Sequence, residues 1–288
     1  MASVQPRRAA ASNRWSAIDH RISATRIGAV FGLAIDDYDN LPIEVLPVGT
    51  DYGADTVLPL HSHRRAQLLY GSRGVMDVVT DDGRWFVPAE RAVLIPPLTP
   101  HQVHMHGVST WSVYIEPGAV PWWPTVCRVI DVGPLLREIL GEVSRIPIDP
   151  MRSERDATLV SLMLHEVRAL APSPFEVILP DSEPLRGLCR NYLEHPDAGL
   201  TTGEWAGAAS MSMRTFDRRF RAETGLSAAV WRTRARLLAS MPMLMTDTVT
   251  EVSGRLGYSS PASFTAAFTK ALGSPPSAFR GPRRGDTA

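Results

Sequence analysis

The stretch TTGEWAGAASMSMRTFDRRFRAETG, residues 201–225, is followed by a second, VTEVSGRLGYSSPASFTAAFTKALG, residues 249–273, and the two share one grammar. Each opens with a short helical run, is cut by a turn, restarts at a serine and stops at a glycine. In the first, the pattern predicts a short helix through Glu204–Ala209, a turn at Ser210-Met211, and Ser212 as N-cap of a longer helix that ends at Gly225. Serine suits an N-cap because its oxygen accepts from the unsatisfied amides of the first helical turn, and glycine suits the residue past a C-terminus. In the second, the turn falls at Gly257, a Ser-Ser-Pro start follows, and the amphipathic helix stops at Gly273. Two such units in succession form an internal repeat. Between them, VWRTRARLLASMPMLM reads as a helix kinked or interrupted at Pro242, because proline removes an internal hydrogen bond and clashes with the preceding turn.

A helix-turn-helix places its second helix in the major groove of DNA, where side chains reach base edges and neighbouring basic groups hold phosphates. In the first unit Phe216 and Phe220 are spaced for the core, and Arg214, Thr215, Asp217 and Arg218 lie on the early, outward part of the helix. Arginine bonds guanine bidentately, so Arg214 and Arg218 are the best candidates for base readout. The bland reading of such arginines is a solvated helix face, and it is the tandem arrangement that weighs against it.

The residues FDRRFRAETG (216–225) and GYSSPASFTAAFTKALGSPPSAFR (257–280) resemble the DNA-binding domain of the AraC/XylS family of bacterial transcription regulators over roughly residues 185–281. The second block, from Gly257-Tyr258 through Phe264, Phe268, Gly273, Pro276 and Phe279, carries most of that likeness. The resemblance implies recognition helices starting near Ser212 and Ser259, a linking helix within Trp231–Met245, and double-stranded promoter DNA as partner. It places Ser212, Arg214, Thr215, Asp217, Arg218 and Arg219 of the first unit at the DNA, with Ser259, Ser260, Ser263, Thr265 and Lys270 of the second. Ser210 stands where the family's first turn usually has glycine, and Ser253 where its second unit usually has alanine. Pro261, Ala262 and Ala266 occupy outward positions where members often carry polar readers. The second helix is therefore expected to read bases weakly, through Ser260, Ser263, Thr265 and methyl contacts, or to grip phosphate.

Composition agrees. Formal net charge is zero, yet residues 201–288 carry 12 Lys/Arg against 6 Asp/Glu, leaving 18 against 24 in residues 1–200. The C-terminal third is basic, which invites a nucleic-acid partner. At 288 residues, 44% of them hydrophobic, the chain suits two domains. Two cysteines, Cys127 and Cys189, lie outside any metal-ligand spacing and read as buried thiols of a reducing cytoplasm. No run approaches the ~20 apolar residues of a membrane span, and the basic N-terminus lacks the apolar core of a signal peptide, so no membrane partner is expected.

Upstream the pattern is strand-like. VMDVVTDDGRWFV (75–87) alternates around Asp82-Gly83, a pair that favours the positive dihedrals of a tight hairpin turn. AVLIPPLTPHQVHM (92–105) reads as a strand, a proline-rich turn and another strand, and WSVYIEP (111–117) as one more. Leu135, Leu136, Ile139 and Leu140 then form one helical stripe, and Leu159, Leu162, Met163, Val167 and Leu170 a second. APSPFEVILPDSEP (171–184), with four prolines, reads as a linker. The expected organisation is a flexible arm (1–20), a sensor domain (21–120), a helical linker or dimerisation region (121–180) and the tandem helix-turn-helix domain (181–288). The fold class is α+β multidomain, a small β-barrel followed by an all-α domain.

Within the barrel region, LPLHSHRRAQLLYGSRG (58–74) puts His61 and His63 two apart, on one face of a strand, with Gln67 at the same parity. With Gly74, Pro88 and PPLTPH ending at His101, the run resembles the two motifs of the cupin barrel. The resemblance implies that His61, His63, Gln67 and His101 converge on one divalent transition metal: nickel, zinc, iron, manganese or copper. Gln67 replaces the family's glutamate and brings no charge, so a metal would be held less strongly. An organic ligand in the same pocket is the other effector reading. His104 and His106 form a second same-face pair that could supplement the site. Trp111, Trp122 and Trp123 are expected to pack more than to line a pocket, and Met241, Met243 and Met245 to fill the core. The whole reads as a cytoplasmic DNA-binding regulator, a homodimer like related regulators, whose cupin-like domain senses a metal or small molecule. The alternative is a metal-dependent cupin enzyme, a dioxygenase or isomerase, with an accessory helical domain.

Overall fold

Two long strands organise the N-terminal half. The computed structural model describes residues 41–53, 55–149 and 151–279, so the expected arm over residues 1–20 lies outside the described residues. Strand β3 (Ala66–Val79) pairs antiparallel with β6 (His101–Ile115) along nearly its whole length, from Ala66↔Ile115 to Val79↔Gln102. Both are rich in apolar and β-branched residues, as a ribbon buried on at least one face requires. The register shifts between Gly71 and Val75, and Gly74 and Gly107 take positive φ of 77° and 63°. A Cβ on Gly74 would lie 2.5 Å from the Gly107 carbonyl oxygen, so the two chains approach there as only glycine permits.

That bend divides one eight-stranded antiparallel sheet into two leaves. On one side β1 (Val45–Asp51) pairs with the last part of β6, and β5 (Arg91–Ile95) pairs with the first part of β3 and then with β7 (Arg128–Asp131). On the other, β2 (Thr56–His61) pairs with the first part of β6, and β4 (Gly83–Pro88) pairs with the last part of β3 and then with β8 (Glu176–Ile178).

Three expectations are corrected here. HQVHM and WSVYI are one strand, β6, because the register shift at its centre lets it bend without ending. The hairpin at Asp82-Gly83 forms, but neither residue takes a positive φ. Thr80 closes the turn instead, its backbone N–H donating to the Gly83 carbonyl at 3.0 Å and its Oγ1 accepting from the Asp82 N–H at 3.0 Å. Gly83 is needed for space, since a Cβ there would lie 2.5 Å from the Val177 carbonyl. That carbonyl belongs to β8, which occupies the middle of the expected linker. Its alternation, Phe175, Val177 and Leu179 buried, is hidden in the sequence by the four surrounding prolines.

Helices α1 (Pro134–Val143) and α2 (Glu154–Ala169) cover one leaf, where Leu136, Ile139, Leu140, Met163 and Val167 join Val45, Leu68, Tyr70 and Val113 in one core. Leu135 and Leu162, counted in the expected stripes, are 57% and 39% exposed. Trp111 packs on Tyr70 and against Gly141, and Trp123 is buried with its indole N–H donating to the Ile95 carbonyl at 3.1 Å.

The C-terminal domain runs through α3 (Leu185–Glu194), α4 (Thr202–Ala208), α5 (Met213–Thr224), α6 (Ala228–Ala239), α7 (Met241–Leu244), α8 (Val249–Arg255) and α9 (Pro261–Leu272). The repeat extends to its caps. Thr201 with Glu204 and Thr248 with Glu251 form capping boxes, Ser212 and Ser260 cap the longer helices, and Gly225 and Gly273 end them at φ 73° and 79°. Ser210 sits at φ 56°, at the same place in its turn as Gly257 at 74°, which explains why glycine suits that position. Pro242 breaks the connecting helix into α6 and α7, with Met241 buried and Met243 and Met245 packed on the core.

Candidate effector pocket and nucleic-acid interface

The strand ends beside the bend gather His61, His63, Gln67 and His101. His61 and His101 are cross-strand partners on β2 and β6, their ring centroids 4.2 Å apart. His63 lies beyond the end of β2 in the loop to β3, so strand parity does not orient it. Its ring comes in from that loop, 5.2 Å from His101 and 6.3 Å from His61. Sequence reasoning missed two neighbours. The ring of Tyr114 meets His63 edge-on at 5.1 Å, and Ser112 accepts from the Gln67 side-chain amide at 3.2 Å. Both lie on the inward parity of β6 opposite β3, a relation visible only once the register is known.

Backbone carbonyls anchor the rings. The Nδ1 atoms of His61, His63 and His101 lie 2.7, 2.6 and 2.8 Å from the carbonyl oxygens of Pro59, Arg65 and Thr99. Donating there leaves the lone pair of His61 and His101 on Nε2. His63 has an acceptor at each ring nitrogen, the Arg65 carbonyl at Nδ1 and Gln67 Oε1 at Nε2, 3.0 Å away, so the glutamine contacts the histidine in place of joining it as a ligand. His101 is fully buried, and its Nε2 has no hydrogen-bond partner among the described residues. Burial, reinforced by the nearby His61 and His63, pushes its pKa down to about 4, so its imidazole is neutral at ordinary pH. Among the described residues no group of three or more His, Cys, Asp or Glu side chains is placed to hold a metal ion. What the four residues make as they stand is a polar cluster of three imidazoles and an amide, with the neutral ring of His101 at its buried end. His104 and His106 fall on the other face of β6 from His101 and do not supplement it; His106 faces Asp55 at 3.8 Å.

In the helical domain α5 and α9 expose the faces opposite their buried phenylalanines, Phe216 and Phe220, Phe264 and Phe268. Ser212 is committed to its cap, its hydroxyl accepting from the Thr215 N–H at 3.3 Å and bonding Thr215 Oγ1 at 3.0 Å. Asp217 pairs with Arg221 at 3.0 Å, and Arg219 with Glu223 at 3.0 Å. Arg214 and Arg218, one turn apart and exposed, make no hydrogen bond or ion pair among the described residues. On α9, Ser260 and Ser263 are consumed by a capping box, Ser259 approaches Ser263 at 3.5 Å, Thr265 is half-exposed and Lys270 exposed. Ser253, standing at an alanine position, is buried, its hydroxyl donating to the Thr250 carbonyl at 2.9 Å.

Residues 48–186 match the AraC-like ligand binding domain, and residues 205–281 match a helix-turn-helix domain. The chain belongs to the AraC/XylS family of transcription regulators. It is 28% identical over 233 residues to the HTH-type transcriptional regulator NimR of Escherichia coli K12, covering 80% of this chain and 84% of that one. Over 86 residues it is 36% identical to the transcriptional activator NphR of Rhodococcus, covering 29% of this chain and 25% of that protein. Among solved structures it is similar to ToxT of Vibrio cholerae, at 9% identity and a TM-score of 0.34 over 82% of this chain and 96% of that one. Like its AraC-type relatives the chain is a transcription regulator with a ligand-binding domain and a DNA-binding domain, and the enzyme alternative finds no support in the families matched. No helix among the described residues is long and apolar enough to cross a membrane.

The AraC-type domains meet through a packed junction. One hydrophobic core runs from Val78, Trp85 and Met105 of the sheet through Phe175 to Trp205, Trp231 and Phe268. Phe279, in the 3-10 turn Pro276–Phe279, meets Phe175 edge-on at 5.7 Å and Phe268 at a tilt at 5.6 Å, and the guanidinium of Arg91 on β5 lies 4.8 Å from the Phe175 ring and 5.7 Å from that of Phe279. The Trp231 indole N–H donates to the Ile178 carbonyl of β8 at 2.7 Å, and Ser182 donates to Glu223 of α5.

Proposed function

We propose that this regulator binds promoter DNA with α5 and α9 in successive stretches of major groove, and that a small molecule in the cupin-like histidine pocket sets its affinity. The observation that carries the DNA half is the pair Arg214 and Arg218, exposed guanidinium groups on α5 without partners among the described residues, and so available to guanine edges. The effector half rests on the buried Nε2 of His101, which has no partner among the described residues, beside His61. The Nε2 lone pair of the neutral His101 ring suits a ligand that donates a hydrogen bond. The effector acts by binding one arrangement of sheet and helices better than another.

A transition metal held by His61 and His101, with His63 released from Gln67, is the second reading, favoured by the 4.2 Å approach of the two rings. Homodimerisation through the α1–α2 region, favoured by exposed Leu135, Met151 and Leu162 on and between those helices, and action in the cytoplasm complete the proposal. The test is affinity of the full-length chain for duplexes selected from a random pool, at fixed salt, with chelator and with each metal in turn. Selection of no sequence would sink the DNA half. A metal-dependent change in affinity, lost in His101→Ala, would replace the small molecule by a metal.

A further inference from the structure

The helices α5 and α9 are one device built with opposite chemistry. N-caps Ser212 and Ser260, phenylalanines Phe216 and Phe264, Phe220 and Phe268, and terminal glycines Gly225 and Gly273 put the two helices in a common register. In that register Arg214 corresponds to Ala262, Arg218 to Ala266, Asp217 to Thr265 and Arg221 to Thr269. Where α5 presents guanidinium and carboxylate, α9 presents a shallow face of Ala262, Thr265, Ala266 and Thr269, edged by Pro261 and Lys270.

Two of the hydroxyls near that face, those of Ser263 and Thr269, are spent on the backbone. Ser260 Oγ accepts from the Ser263 N–H at 3.1 Å, and Ser263 Oγ donates to the Ser260 carbonyl at 2.8 Å while accepting its N–H at 3.2 Å. Thr269 Oγ1 donates to the Thr265 carbonyl at 2.8 Å, which leaves its methyl as the part available outside the helix. The hydroxyl hydrogens of Ser263 and Thr269 are therefore spent inside the helix, while Ser260 and Thr265 keep theirs beside the methyls of Ala262, Ala266 and Thr269. The major groove offers one apolar group, the C5 methyl of thymine, and alanine and threonine methyls are its natural contacts.

We propose that α9 selects thymine by its methyl group, through Ala262, Thr265, Ala266 and Thr269, while α5 selects guanine. The inference rests on both helices entering the major groove. It makes the binding site chemically bipartite, one half chosen by hydrogen bonds and the other by apolar fit.

The experiment uses duplexes selected from a random pool by the full-length chain. The α9 half is located by repeating the selection with Ala266→Arg, and the α5 half by repeating it with Arg218→Ala. Each thymine is then replaced singly by deoxyuridine, which deletes only the methyl. At contacted thymines in the α9 half affinity is expected to fall about fourfold per methyl, and in the α5 half less than twofold. Ala266→Arg is expected to select guanine where the native chain selects thymine. Thr269→Val, which keeps the methyl, is expected to bind within twofold of the native chain, whereas Thr269→Ser binds more weakly. Less than a twofold effect of deoxyuridine throughout the α9 half, or an α9 half with no selected thymine, overturns the proposal. A selection that enriches no duplex overturns the DNA-binding reading itself, so the two failures are distinguishable.

Discussion

The imidazole of His101 lies 4.2 Å from that of His61 across the paired ends of β2 and β6, and its Nε2 is sealed from solvent without a partner among the described residues. A buried acceptor left unpaired costs about 1–3 kcal/mol, a cost that a ligand's donor relieves. Removing the ring should therefore abolish the effector response while leaving effector-free DNA affinity within about twofold. With no metal-binding group of three or more His, Cys, Asp or Glu among the described residues, chelator is expected to leave the melting temperature of the native chain unchanged. Scanning fluorimetry with chelator, nickel and zinc, on native and His101→Ala protein, checks the second, and mobility-shift titration of His101→Ala checks the first; a melting temperature that drops with chelator only in the native chain would overturn the metal-free reading.

Arginines on α5 should separate by their pairing. Arg214→Ala and Arg218→Ala are each expected to cost about 1–3 kcal/mol on the best duplex and to relax preference at one position. Arg219, already held by Glu223, should matter less than about threefold. Mobility-shift titrations on a matched and a scrambled duplex give the ranking; equal losses for all three would mean that charge alone binds.

Glycine at the bend has two different jobs. Gly107→Ala meets open space and pays only for its positive φ, about 1 kcal/mol, whereas Gly74→Ala also drives a Cβ into the Gly107 and His106 carbonyls and should cost more than about 2 kcal/mol. Urea unfolding of the two variants compares them directly, and equal midpoints would argue that the bend relaxes.

At the junction, Phe279→Ala should cost about 3 kcal/mol, the usual loss for a buried aromatic, and split a single unfolding transition into two. Calorimetry of the full chain reads this as one peak against two.

Burial pushes the Cys127 thiol up to about 12 and raises Cys189 as well. Both should resist a disulfide reagent at pH 8 in the folded chain and react on unfolding, since the thiolate is the reactive form. Rapid labelling of either without denaturant would contradict the packing of this region.

How much of this was legible in the sequence depended on whether a signal was local. The helical repeat was, because caps, stops and phenylalanine spacing sit within a few residues of what they control: Ser212, Gly225, Ser260 and Gly273 stand where the pattern put them, within a residue. The histidine cluster was legible as a set of residues but not as a site. Which way His63 turns depends on the loop after His61, and what Gln67 bonds depends on the register of β3 against β6, which brings Ser112 and Tyr114 into reach. β8 was missed because its pairing partner lies about ninety residues upstream and its alternation is short.

β8 belongs to two structures at once. Its edge is stitched to β4, and the carbonyl of Ile178 carries Trp231 of α6. A free tether would let the sheet breathe in private; a strand with two owners makes it a fulcrum. In the proposed mode of binding, a ligand that shifts β8 would pull on Trp231 and so on α6, the helix that follows α5, and the promoter would register a change of stride where the pocket registered only a guest.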